Sequence, residues 1–78
     1  MNNNFTRKIK MNVDDATEFA MVAAMCPFDI SIYSNRCIAD AKNVIELASM
    51  DFSKILTIEY NGYDSLFERY ISRHVLAS

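Results

Sequence analysis

The sequence predicts an α+β fold, with a four-stranded antiparallel sheet covered on one face by three helices in the order β-α-β-β-α-β-α. Three observations point there. Short alternating stretches rich in β-branched residues recur along the chain, and capped segments with apolar residues at i, i+3, i+4 and i+7 separate them. One Gly and one Pro in 78 residues leave little room for loops, while a hydrophobic fraction of 51% is ample for one core. An antiparallel sheet with one apolar face needs helices as a cover, so an open-faced sandwich follows.

The elements run in order. Phe5 to Met11 reads as a half-buried strand, with Phe5, Ile9 and Met11 on one face and Thr6, Lys8 and Lys10 on the other. Arg7, Lys8 and Lys10 suit an edge, where Lys discourages further pairing. A helix is predicted from Val13 to Met25. Its apolar stripe is Ala16, Phe19, Ala20 and Ala23, its N-cap is Asn12, and Asp14 and Asp15 lie in the first turn, where the helix dipole favours negative charge. Pro27 stops it. Asp29 to Ser34 is a strand with Ile30 and Ile32 facing in, Asn35-Arg36 a turn, and Cys37 to Ala39 the returning strand. Asn43 and Glu46 form a capping box for a short helix reaching about Met50. Ile55 to Tyr60 is the last strand and Asn61-Gly62 a turn. Ser65 and Glu68 form a second capping box, followed by a stripe of Leu66, Phe67, Tyr70, Ile71 and Val75. The chain is one domain, 1–78, with residues 1–4 expected to be flexible.

Composition excludes several functions. A net charge of −2 argues against a strongly basic nucleic-acid binder. The longest apolar run, Phe19 to Cys26, is eight residues, against about 20 for a membrane helix. The polar lead Met1-Asn2-Asn3-Asn4 is no signal peptide, so a cytoplasmic, reducing compartment is expected. With one His and two Cys, no zinc set can be assembled, and neither a metal nor a cofactor is expected. Cys26 and Cys37 read as reduced core thiols, with a disulfide as the alternative. His74 near the end of the last helix suits the negative end of the dipole or partial core packing. Asp14, Asp15 and Glu18 do not converge on a cation, because adjacent helical residues diverge by about 100°.

Two windows and the element order resemble the histidine-containing phosphocarrier family, HPr, of the bacterial sugar phosphotransferase system. Ala39-Asp40-Ala41-Lys42-Asn43-Val44-Ile45-Glu46-Leu47-Ala48-Ser49-Met50 is similar to that family's A-K-S-I-M-G-L-M-S-L helix. Lys10-Met11-Asn12-Val13-Asp14-Asp15-Ala16-Thr17 falls on its G-[IL]-H-A-R-P-A loop. Ile58 to Gly62 matches the last strand and its Glu-Gly turn, with the loop at Ser53-Lys54 shortened by about two residues. The resemblance spans nearly the whole chain, and it implies an HPr-like open-faced sandwich.

Where the family has its phosphoacceptor histidine, this chain has Asn12, and an amide nitrogen has no basic lone pair with which to form a phosphoramidate. The family's arginine is replaced by Asp14 and its proline by Asp15, so two carboxylates stand where a phosphate would dock. Like charges at such range repel by about 1 kcal/mol even in water. Asn43 takes the place of the regulatory serine and reads equally well as an N-cap. The family's apolar docking surface falls on Val44, Ile45 and Ala48 beside Thr17, Met21 and Ala24. The expectation is a non-catalytic, HPr-like binding or regulatory module whose partner is a protein, such as a phosphotransferase-system enzyme or a regulator. An active phosphocarrier with another acceptor, or an unrelated α+β interaction domain, are the alternatives.

Overall fold

A computed structural model describes residues 4–35 and 37–76. Arg36, half of the predicted turn, and residues 1–3 of the lead lie outside the described residues. The strands are β1 (Phe5–Ile9), β2 (Ile30–Ser34), β3 (Cys37–Asp40) and β4 (Leu56–Tyr60), and the helices α1 (Ala16–Ala24), α2 (Val44–Ala48) and α3 (Ser65–Ile71). The order is the predicted one, and the strands form one antiparallel sheet ordered β1-β4-β2-β3.

Strand β4 has a neighbour on both sides, and its sequence meets that demand. Leu56, Ile58 and Tyr60 alternate inward and are buried, with Ile58 opposite Arg7 on one side and Ile32 on the other. Ile9, Ile30, Ile32 and Ala39 complete the apolar face. Over it lies α1, whose four predicted stripe residues are all buried. Phe19 meets the Phe67 ring edge-on at 6.2 Å and the Tyr70 ring at 5.8 Å, geometry that adds to the area these aromatics bury. The three alanines of the stripe keep that helix face thin, and α2 and α3 pack on either flank of α1.

Both sheet edges are closed in part from within the chain. At β1 the Lys10 N–H donates to the His74 carbonyl and the Leu76 N–H to the Lys8 carbonyl, each at 2.9 Å, with Ile9 bridging Val75. At β3, Ala41 donates to Ile30 in β2, so Asp40 faces outward. Its N–H is taken by Glu46 Oε1 at 3.1 Å and its carbonyl by the Asn43 N–H at 2.9 Å. That leaves Ile38 as the outward-facing residue within the strand.

The structure corrects several expectations. Strand β1 stops at Ile9, where its pairing with β4 ends opposite Leu56, although Met11 is still buried. Residues Val13–Asp15 form a single 3-10 turn, and the α-helix proper begins at Ala16. Asn43 caps α2, its Oδ1 accepting from the Ile45 and Glu46 N–H groups, but Glu46 does not close the box on the Asn43 backbone. It reaches Asp40 and the Asn43 side-chain amide instead. The cap of α3 is Asp64, whose Oδ1 accepts from the Phe67 N–H at 2.9 Å, and Ser65 is already helical. Glu68 cannot return to that cap because Tyr60 and Arg7 hold both its oxygens. Leu66 leaves the predicted stripe and is 58% exposed, and Val75 lies past the helix in the bridge to Ile9. Cys26 is buried, but Cys37 opens a strand at the sheet edge and is exposed, and both are free thiols. At the end of the lead, where no correction arises, Asn4 donates to Glu59 Oε2 at 2.8 Å.

Two substitutions test this packing. Phe19→Ala removes a fully buried ring and should cost about 3–5 kcal/mol by urea titration. Gly62→Ala would drive its new Cβ into the Phe28 ring, which is wedged against Tyr60 and Phe67, and should cost about 1–3 kcal/mol. A wild-type midpoint in either variant would show that the α1 face or the turn after β4 is misassigned.

Candidate functional site

The head of α1 is built by the chain that enters it. Asn12 has extended backbone angles (φ −95°, ψ 160°), and the next residues wind into the 3-10 turn. The Asp15 carboxylate accepts the Asn12 N–H at 3.1 Å, and the Asp15 N–H donates back to the Asn12 carbonyl at 2.9 Å. Asn12 and Asp14 are exposed and Asp15 is half-buried. The opening turns therefore carry Asp14, Asp15 and Glu18 at the positive end of the helix. Among the described residues no cluster of His, Cys, Asp or Glu is arranged to hold a metal ion.

Beneath this acidic head lies Tyr70, a residue the sequence reading placed only as one apolar member of a stripe. It is 8% exposed, and its phenol oxygen faces the Glu18 carboxylate without a well-formed hydrogen bond to it or to any other described residue. Burial first, then the facing Glu18 and Asp15 carboxylates, push the phenol up to about 12. The Arg73 guanidinium lies 5.9 Å from its ring centre and the His74 ring 5.3 Å away, so His74 packs on the core margin. The available signal was a Tyr three residues after a buried Phe, where an all-apolar stripe would need no hydroxyl.

This contact orients α1. Asp15 and Glu18 face α3, and Thr17 and Ala24 lie on the opposite flank at about 100° per residue, towards α2. The exposed ridge between carries Met21, 65% exposed. On α2, Val44, Ile45 and Ala48 are exposed, Ile45 at 81%. The six residues assigned to a docking surface thus lie exposed on adjacent helices, and Val13 and Met25, absent from that assignment, extend the apolar area. Asn43 is engaged as a cap.

A second polar group is structural. The Tyr60 hydroxyl donates to Glu68 Oε2 at 2.6 Å, and Arg7 donates to Glu68 Oε1 at 3.2 Å, joining β4, α3 and β1. Burial and the bonded carboxylate push the Tyr60 phenol up to about 12. The Cys26 thiol, near the Val22 carbonyl at 3.8 Å, is raised by burial, the condition of an unreactive thiol. No helix is long and apolar enough to cross a membrane among the described residues. Compared with known proteins, the chain matches no family model, no curated protein and no solved structure.

The two tyrosines predict the alkaline behaviour. Both phenols have folded values raised from 10 to about 12, so their contribution is fully present below pH 10 and is lost as pH climbs towards 12. Stability followed by denaturant titration should fall through that window. Tyr60→Phe and Tyr70→Phe should each flatten the fall. At neutral pH the two should part. Tyr60→Phe loses a bond to a carboxylate and should cost about 1.5–3 kcal/mol, whereas Tyr70→Phe removes an unpaired buried hydroxyl and should be neutral or stabilising. Equal costs would contradict these environments.

Proposed function

We propose that this chain is an HPr-like protein related to the phosphoenolpyruvate-dependent sugar phosphotransferase system that has lost phosphate transfer and acts as a binding or regulatory module. The observation that carries this reading is the head of α1. Asn12 stands where a phosphoacceptor is required, and Asp14, Asp15 and Glu18 make the surroundings negative. A carboxamide supplies no nucleophile, and the backbone N–H of Asn12 is bonded to Asp15. The seven-element order and the single-sided helical cover agree with what the resemblance implies. Asn43 has no hydroxyl to receive a regulatory phosphate, and its side chain is committed to starting α2. What remains for recognition is the exposed apolar surface of Thr17, Met21, Ala24, Val44, Ile45 and Ala48. The partner is a protein, a phosphotransferase-system enzyme or a regulator, and the chain itself is no enzyme.

Labelling with radioactive phosphoenolpyruvate and enzyme I tests this. Wild type should take up no phosphate, and a stable adduct on any residue would overturn the reading. Asn12→His alone should stay nearly inert, because Asp14 and Asp15 favour the protonated imidazole and repel the phosphoryl group. Asn12→His with Asp14→Arg removes a negative charge and adds a fork for phosphate oxygens, and should label measurably. Equal labelling of the single and double variants would show that Asp14 does not control the site. No labelling of either would count against an enzyme I partner.

A further inference from the structure

We propose that Asn61 is a modification site: its side chain cyclises onto the Gly62 nitrogen and reopens to aspartate and isoaspartate, so the turn after β4 ages while the chain is folded. The inference is independent of the phosphocarrier reading. Ring closure needs a carboxamide free to move, an unbonded N–H on the next residue and no side chain shielding that nitrogen. Gly62, the one glycine of the chain, meets the last condition. Every other asparagine is followed by a larger residue: Asn2 by Asn3, Asn3 by Asn4, Asn4 by Phe5, Asn12 by Val13, Asn35 by Arg36 and Asn43 by Val44. Asn61 is exposed, and the pair lies past the end of β4 at Tyr60. The hydrogen bonds nearby pass it by. Glu59 accepts from Asn4, the Tyr60 hydroxyl donates to Glu68, and Asp64 accepts from Phe67. Among the described residues neither the Asn61 carboxamide nor the Gly62 N–H is bonded, whereas the Asn43 carboxamide is held by Ile45 and Glu46.

The chemistry needs only water. A base in solution takes the Gly62 amide proton as the nitrogen attacks Asn61 Cγ. A C–N bond closes the succinimide ring, the Cγ–Nδ2 bond breaks, and ammonia leaves with a proton from water. Water then adds to one ring carbonyl. Opening at Cγ gives aspartate, and opening at the main-chain carbonyl gives isoaspartate, with no change of oxidation state. Either product adds a carboxylate beside Asp29 and Glu59, with which Asn61 lines a surface cavity, and like charges there repel. Isoaspartate also lengthens the main chain by one carbon. Gly62 has no slack for that. The Phe28 ring already fills the place its Cβ would take, and that ring stacks on Tyr60 at 5.9 Å and meets Phe67 edge-on at 6.4 Å. A shift of Gly62 is therefore felt in the core and at Asp64, the cap of α3.

Peptide mapping of the full chain after ageing in warm neutral buffer tests this. Asn61 should lose its amide first, with the mass gain of an amide-to-acid exchange, while Asn12, Asn35 and Asn43 stay intact. An isoaspartyl methyltransferase with S-adenosylmethionine should methylate the aged chain and not the fresh one. Asn61→Gln, whose longer side chain closes a larger and less favoured ring, should keep its mass and accept no methyl group. Amide loss at Asn61 only in urea, or loss shared evenly among the asparagines, overturns the proposal. Asn61→Asp carries the new charge without the longer backbone, and so separates the two consequences. Its thermal midpoint should fall below wild type, and the isoaspartate form, purified by chromatography, should fall further. An isoaspartate form as stable as Asn61→Asp overturns the coupling to Phe28 and α3, and an Asn61→Asp midpoint equal to wild type overturns the repulsion from Asp29 and Glu59.

Discussion

The constraint on which this fold depends is the burial of one sheet face by three helices of nine, five and seven residues. Helices this short are not stable alone in water, so their order comes from what they cover. The sheet depends on them in turn, since Leu56, Ile58, Ile30 and Ile32 would otherwise lie open. Phe19 is where the two requirements meet. It reaches Phe67 and Tyr70 from α1 and draws α3 onto the same core. In a 78-residue domain the margin left after conformational entropy is a few kcal/mol, so that junction is a large share of the whole.

The polar groups around this core are arranged to finish backbone hydrogen bonds. Asp64 and Asn43 start helices, Glu46 closes an outward N–H of β3, and the tail from His74 to Leu76 closes β1. Part of each sheet edge is thereby consumed internally. Recognition is pushed towards the helical layer, where side chains rather than backbone groups are free. The same economy explains the acids at α1. Asp15 is a capping ligand as much as a source of negative charge.

Period and turn chemistry made most of the fold legible. The alternation of β4, the stripe of α1, the Asn43 cap and the exposure of Met21 and Ile45 all follow from where apolar side chains fall relative to 2 and 3.6 residues per repeat. What could not be read depended on partners distant in sequence. Glu68 looked like half of a capping box until Tyr60 and Arg7 claimed it, and the cap moved to Asp64. Cys37 looked like a core thiol because its strand is short and mixed, and only the neighbouring turn and the edge position expose it. Leu66 fits the stripe on spacing, yet the helix turns it out because Phe67, Tyr70 and Ile71 already fill the contact with α1 and the sheet. The buried hydroxyl of Tyr70 needed the approach of α1 and α3 before it could be recognised.

The acidic head of α1 links stability to binding. A helix N-terminus attracts anions through its free N–H groups and its dipole. Here the chain supplies its own anions. Asp15 bonds the Asn12 N–H, and Asp14 and Glu18 stand in the opening turns, an arrangement that stabilises the helix by about 0.3–1 kcal/mol per charge. Any external phosphate would have to displace or oppose those carboxylates, so the residues that start the helix well also exclude the ligand a helix start is best suited to bind. Replacing them to admit an anion gives up dipole stabilisation at a helix that holds Phe19 in place. The exposed flank towards α2 carries no such conflict. Met21 and Ile45 are mostly exposed, so a change there disturbs the core little and leaves the head of α1 intact.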